Sequence, residues 1–293
     1  MGDQAEMLRQ IIREKTQKQQ STDRNAKVIA IASGKGGVGK STIVLNLGLA
    51  LCQLGQKILV IDGDIGFANL DILLGVRPSH SFEQVLLGEV RLRDAITKVD
   101  HGLAILSGGA GIALQNQSEL PMARFAEELK AISSEFDQIY IDLGGGLSHY
   151  SAEMISLCDE VLLVITPEPT SLADAYSLVK QAIREGDIPN LSYLINRAHS
   201  VRQATEAAGK FELALSKFLK TKANHWGDIL EDDAVGRAVF RQMPFILAEP
   251  SSLASKCLLQ LAKRSLMVVD AETPPSSPGI LRIWERFVKR KQS

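Results

Sequence analysis

The sequence predicts a doubly wound α/β fold, a mostly parallel sheet with helices on both faces, and three observations carry the prediction. Short apolar runs recur at VIAIAS (28–33), KILVID (57–62), LAILSG (103–108), QIYIDLGG (138–145), EVLLVITP (160–167) and LSYLIN (191–196). Segments of helical period lie between or after them, notably 121–134, 148–157, 170–185 and 200–220. The first run passes through a glycine-rich turn straight into a helix expected over 40–54, which stops at Gly55. Runs that are apolar throughout, rather than alternating, suit strands covered on both faces. Strand and helix in turn, rather than in blocks, suit βαβ units. In such sheets ligands bind at the carboxyl ends of the strands, and four of those ends here carry polar or glycine-rich motifs.

At 293 residues the chain can bury a sheet of this kind as one large domain. Its 45% hydrophobic and 23% charged content excludes a wholly disordered chain, a collagen-like chain and a disulfide scaffold. Residues 16–27 (TQKQQSTDRNAK) and 271–279 (AETPPSSPG) have little to bury and read as linkers. The expected organisation is an arm at 1–15, a linker at 16–26, a body at 27–269, a linker at 270–278 and a helix at 279–293. Charge is uneven across it. Residues 1–27 hold six basic and four acidic side chains, and residues 279–293 hold five and one. The body between them keeps 22 basic against 29 acidic side chains. A body with a net charge of −7 is a poor duplex-DNA surface, so polyanion or membrane contacts are expected at the ends, with no sequence-specific DNA binding.

Cys52, Cys158 and Cys257 are far apart, with no C-x-x-C pair for zinc, a redox dithiol or a cluster, and are expected reduced and mostly buried. The five histidines show no ligand spacing. The opening residues carry no apolar signal core, and no stretch reaches about 18 apolar residues, so a cytoplasmic protein is expected.

Gly34-Lys35-Gly36-Gly37-Val38-Gly39-Lys40-Ser41 matches G-x-x-x-x-G-K-[ST] in the context that motif requires, after a strand and before a helix. The glycines permit a tight turn whose N–H groups, with the helix N-terminus, surround a polyphosphate. Lys40 should reach the β- and γ-phosphates of ATP, Ser41 should ligate Mg²⁺, and Thr42 can donate to the α-phosphate. Asp62-Gly63-Asp64 closes the second strand, where Gly63 lets both carboxylates turn into the crevice. Asp142 ends another strand, in position to bind Mg²⁺ through water.

With its second lysine, GKGGVGKST resembles the deviant loop of the MinD/ParA family of P-loop ATPases, over about residues 27–268. The resemblance implies that Lys35 crosses a homodimer interface to the nucleotide of the facing subunit when ATP is bound. It implies that Asp64 positions and activates the attacking water while Asp62 supports the metal shell. It implies that Asn196 reads adenine and that Arg197 packs on the base. The family pattern Asp-Thr-Gly-Ala-Gly after the Asp142 strand is broken by Leu143 and Gly145, which changes a switch whose Gly144–Gly146 N–H groups would face the γ-phosphate.

Within the family, residues 234–262 and the start Asp3-Gln4-Ala5-Glu6-Met7-Leu8-Arg9 resemble the FlhG (YlxH) branch, regulators of flagellar number. That resemblance implies an arm that stimulates the SRP-type GTPase FlhF, with Asp3 capping a helix, Ala5 and Leu8 at helical spacing, and Gln4 and Arg9 as polar contacts. Flagellar C-ring components are further implied partners. In the last segment Ile280, Ile283, Trp284, Phe287 and Val288 form an apolar stripe flanked by five cations. It is too short to span a bilayer and suits an anionic phospholipid surface, which implies a peripheral place on the inner face of the cell membrane in the ATP state. Two other readings share the loop: a related ATPase that positions division sites or cargo, and a P-loop amide ligase or synthetase.

Overall fold

The computed structural model describes residues 25–64, 66, 69–111, 122–146, 148–185 and 188–271. The arm residues Asp3, Gln4, Ala5, Leu8 and Arg9, and the tail residues Ile280, Ile283, Trp284, Phe287 and Val288, lie outside them. One eight-stranded sheet organises the body. Its strands are β1 (Lys27–Ser33), β2 (Ile58–Gly63), β3 (Thr97–Lys98), β4 (Ala104–Leu106), β5 (Gln138–Gly145), β6 (Glu160–Ile165), β7 (Asn190–Ala198) and β8 (Asn224–Leu230). Their spatial order is β3-β4-β2-β5-β1-β6-β7-β8. Every pairing is parallel except that of β3 with β4. The sheet is therefore doubly wound and mostly parallel, as its apolar runs predict. Central β1 lies between β5 and β6, so the loops leaving their carboxyl ends meet in one crevice.

Alternate strand residues serve two cores, which is why the strands are apolar on both faces. Val28, Ala30, Leu59, Ile61, Ile139, Ile141 and Leu163 point to one face. There they meet α3 (Phe82–Leu87), α4 (Leu92–Ala95), α5 (Met122–Ile132), α6 (His149–Ser156), α7 (Pro169–Glu185) and α8 (Val201–Ala214). Ile29, Ile31, Val60, Tyr140 and Leu162 point to the other. They meet α1 (Lys40–Gln53), α2 (Leu70–Leu74), α9 (Asp233–Phe240), α10 (Phe245–Ala248) and α11 (Leu253–Ala271). Cys158 is buried, whereas Cys52 and Cys257 are half-buried, so the expectation for the thiols holds fully at one of three.

Strand β8 is absent from the apolar pattern because it sits at the sheet edge, where only Gly227 and Ile229 are fully buried. Gly227 has φ +140°, and a Cβ there would lie 2.7 Å from Leu261 Cδ2 of α11. The segment expected as one helix over 200–220 ends in a π-helical turn, Leu215–Leu219. Asp232, at the carboxyl end of β8, accepts from Ala234 N at 2.9 Å through Oδ1 and from Ala254 N at 3.1 Å through Oδ2. One carboxylate thus caps both α9 and α11. Those bonds, led by the one from Ala234, hold its pKa below the ordinary carboxylate value. Its contribution to stability is therefore full above the unfolded-state pKa and is lost as pH falls through the folded value. Asp232→Ala should cost about 1–2 kcal/mol at pH 7 in chemical denaturation, and the gap from wild type should close in acid.

Candidate nucleotide site

The loop between β1 and α1 is shaped by close packing. Gly34 presses on α7 so tightly that a Cβ would lie 2.2 Å from the carbonyl carbon of Asp174. Ser33 Oγ donates to the Lys35 carbonyl at 2.7 Å and fixes the first bend. At the other end Gly39 has φ +94°, and a Cβ there would meet Asn196 Nδ2 at 2.8 Å. Gly36 and Gly37 have open space where a Cβ would point, which leaves the middle of the loop approachable. Helix α1 begins with no side-chain cap and no acid in its first turn. An uncapped helix N-terminus under a glycine loop favours an anion through its free N–H groups and its dipole. Gly34→Ala forces two backbones apart and should lower stability by about 1–3 kcal/mol, with loss of nucleotide binding in a titration. A variant that binds normally would show that the packing on α7 is dispensable.

Three carboxylates face this loop from β2 and β5. Asp142 is fully buried, and neither of its oxygens has a hydrogen-bond partner among the described residues. Burial pushes its pKa up to about 7, against the lowering pull of Ser41 and Lys40. Asp62, also buried, is raised to about 6, chiefly by burial. Its oxygens accept from the N–H groups of Asp64 (3.2 Å), Asn69 (2.9 Å) and Leu70 (3.3 Å). Beside the metal-shell role expected for it, Asp62 therefore holds the turn that aims Asp64. The Asp64 carboxyl is raised by burial and lowered by Lys40, and its Oδ1 would be 2.8 Å from a Cβ on Gly144. Lys40 is only 8% exposed, so it compensates this acidic group from within. Magnesium is ordinarily held by one or two carboxylates completed by phosphate oxygens. Ser41, buried Asp142 with its unpartnered oxygens, and the open loop fit an Mg²⁺–nucleotide pair of that kind. Among the described residues no cluster of three or more His, Cys, Asp or Glu forms a metal cage without such help.

The other expected residues fall around this centre with different partners. Lys35 Nζ lies 3.0 Å from Glu168 Oε2 at the head of α7, both side chains about half exposed. Asn196 is buried and donates through Nδ2 to the Val38 carbonyl at 2.7 Å, so one of its amide hydrogens braces the loop. Arg197 adopts φ +61° and pairs with Glu231 at 3.6 Å. A Cβ on Gly145 would lie 3.1 Å from Gly36 N, which puts the switch segment against the loop. The N–H of Gly146 donates to the Ser33 carbonyl at 2.9 Å and so ties β5 to β1, where the sequence assigns it to the γ-phosphate. Leu143 is buried in the core.

Two contributors escape sequence reasoning. Tyr150 on α6 is half-buried, but its hydroxyl is buried and has no hydrogen-bond partner among the described residues, and its pKa is raised by burial and then by Asp62 and Asp64. Asn46 on α1 donates to the Thr42 carbonyl at 2.7 Å and accepts from Ile246 N at 2.9 Å, locking the helix that begins at the loop to α10. Neither belongs to a motif, and a Tyr eight residues after Asp142 or an Asn inside a helix carries no signal by itself.

A parallel sheet whose first strand leads through this loop to an uncapped helix, with acids at the neighbouring strand ends, defines a phosphate-binding-loop nucleoside triphosphatase. A family model described as "AAA domain" matches residues 26–187. The antiactivator FleN of Pseudomonas aeruginosa is 32% identical over 275 residues, 93% of this chain and 97% of that protein. The flagellum site-determining protein YlxH of Helicobacter pylori is 31% identical over 274 residues, 90% of each chain. A solved structure of the septum site-determining protein MinD of Pyrococcus horikoshii, complexed with Mg-ADP, superposes with a TM-score of 0.71 at 26% identity, over 85% of this chain and all of that one. The chain belongs to the MinD/ParA family of P-loop ATPases, with FlhG-type relatives among its matches.

Proposed function

We propose that this ATPase is a dimeric switch that regulates the number or placement of flagella. Support for the biological setting comes from its similarity to FleN and YlxH over nine-tenths of its length. In the proposed cycle Lys40 and the N–H groups of α1 hold the β- and γ-phosphates. Ser41 and Asp142 would hold Mg²⁺, which when bound would supply positive charge to the phosphate oxygens. Asp64 orients a water in line with the γ-phosphorus and takes up its proton as the bond to the ADP oxygen breaks. Phosphoryl transfer asks a protein mainly for positioning and charge neutralisation, and these residues supply both.

The observation that carries the switch reading is Lys35. It is an exposed cation of the loop itself, yet it pairs with Glu168 instead of the acids around Lys40. An exposed ion pair is worth about 1 kcal/mol or less, so Lys35 can leave Glu168 for the triphosphate of a second subunit. The arm at 1–15 would then stimulate an FlhF-type GTPase, and the segment at 279–293 would hold the dimer on an anionic bilayer, two weak anchors gaining avidity from dimerisation.

Deleting the gene in its own organism should change the number of flagella per cell, and a copy carrying Lys40→Ala should fail to restore it. Unchanged flagellation would overturn the biological reading. A synthetic peptide of residues 1–20 should raise the GTPase rate of FlhF, and Gln4→Ala or Arg9→Ala should abolish the effect. Stimulation by the full chain but not by the peptide would move the activating surface elsewhere.

A further inference from the structure

The acidic body hides a basic, partly apolar tip at the end of the sheet remote from the nucleotide site. The buried stripe of α8 runs Ala204, Ala207, Ala208, Phe211, and Leu215 continues it into the next turn. At α-helical pitch position 218 is next on that stripe. The π turn at Leu215–Leu219 contains this position and takes Phe218 off the core, leaving it 65% exposed. Its ring makes an edge contact with Tyr176 of α7, 6.4 Å between centroids, and lies under Lys217 Nζ at 5.4 Å.

Further cations lie on the two chain segments that meet at this ring. Lys217, Lys220 and Lys222 flank it along the chain, with Lys220 in the left-handed region at φ +54°. Lys180 and Arg184 follow Tyr176 at intervals of four residues on one face of α7, beside partly exposed Ile183. Among the described residues none of these five makes an ion pair with a carboxylate. The two acids of α8 nearest the turn are engaged elsewhere: Glu206 pairs with Arg202 at 2.9 Å, and Glu212 accepts from the Tyr193 hydroxyl at 2.6 Å. The body's net charge of −7 thus averages over a local concentration of lysine and arginine.

We propose that Phe218 and these cations form a second contact with an anionic phospholipid bilayer, built into the folded body. An aromatic side chain at a protruding turn, flanked by lysines, matches an interface whose surface is anionic and whose depth is apolar. The direction of α11 argues for a bilayer. Ala254 is tied to Asp232 at the carboxyl end of β8, while Arg264 donates to the Trp226 carbonyl at 3.5 Å near its start. The helix thus runs toward the end of the sheet that carries Lys220 and Lys222, and the segment at 279–293 follows it in sequence. The inference rests on the membrane association proposed above for the segment at 279–293 in naming the bilayer, while the contact at Phe218 is read from the folded body alone.

The test is flotation of the full chain with vesicles of phosphatidylglycerol and phosphatidylcholine, and with phosphatidylcholine alone. A lysine near an anionic surface is worth about 1 kcal/mol, about fivefold in partitioning. Lys217→Ala/Lys220→Ala should therefore weaken capture about 20-fold while ATP binding stays at the wild-type level. In a Trp284→Phe background, where Trp226 supplies the reference emission, Phe218→Trp should add an emission that shifts to the blue on anionic vesicles only. Undiminished flotation of the double variant would overturn the proposal. So would a blue shift on a short DNA duplex with none on vesicles, which would assign the patch to nucleic acid. If Trp284→Glu floats normally while the double variant does not, the tail reading fails and this one stands. If wild type is not captured at all, both fail.

Discussion

An Asp64→Ala chain should bind ATP with nearly wild-type affinity yet hydrolyse it at least about 10²-fold more slowly. Asp64 stands where β2 has ended and the chain has turned, its backbone held by Asp62 and its carboxylate against Gly144. Phosphate affinity comes from Lys40 and the N-terminus of α1, neither of which the substitution removes. Only the group that orients and deprotonates the attacking water is lost, and such groups are generally worth 10² to 10⁴ in rate. Phosphate release in single turnover, alongside a nucleotide titration, separates the two quantities. A rate within threefold of wild type would assign the water to another residue, and Tyr150 would be the first to examine.

Lys40→Ala should act on the opposite quantity, weakening ATP binding by at least about 10²-fold. Lys40 is buried beside Asp64 and Asp142, and it lowers the pKa of both. Without it three carboxylates would face a polyanion with no internal cation. The loss combines charge-assisted hydrogen bonds, each worth about 1.5–3 kcal/mol, with like-charge repulsion inside a poorly solvated crevice. A fluorescent nucleotide titration checks it. Binding within tenfold of wild type would mean that the backbone N–H groups suffice and that Lys40 mainly stabilises the fold.

The parts of the site that share a stretch of chain are legible in the sequence itself. Gly34 to Ser41 form one motif, and Asp62, Asp64 and Asp142 each end an apolar run, so the parallel topology alone brings them to one edge. What escapes depends on pairs distant in sequence. Glu168 lies 133 residues from Lys35, and nothing in its own neighbourhood announces an ion pair with the loop. The partner of the Gly146 N–H escapes because a glycine-rich run shows that a backbone is free to approach a ligand, not which carbonyl takes its hydrogen. Strand β8 escapes because an edge strand buries few residues, and Phe218 because a π turn shifts helical phase without a residue that marks it. Asn196 reads from the sequence as a base contact, and its bond to the Val38 carbonyl 2.7 Å away escapes because it joins residues 158 positions apart.

In the proposed cycle ATP moves Lys35 from Glu168 to the nucleotide of a second subunit. Light scattering on size-exclusion chromatography, in the presence of Mg²⁺, tests it most directly. Asp64→Ala, which retains ATP, should run as a dimer with ATP and as a monomer with ADP. Asp64→Ala/Lys35→Ala should bind ATP equally well and stay monomeric. A dimer from the double variant at the same ATP concentration would contradict the account.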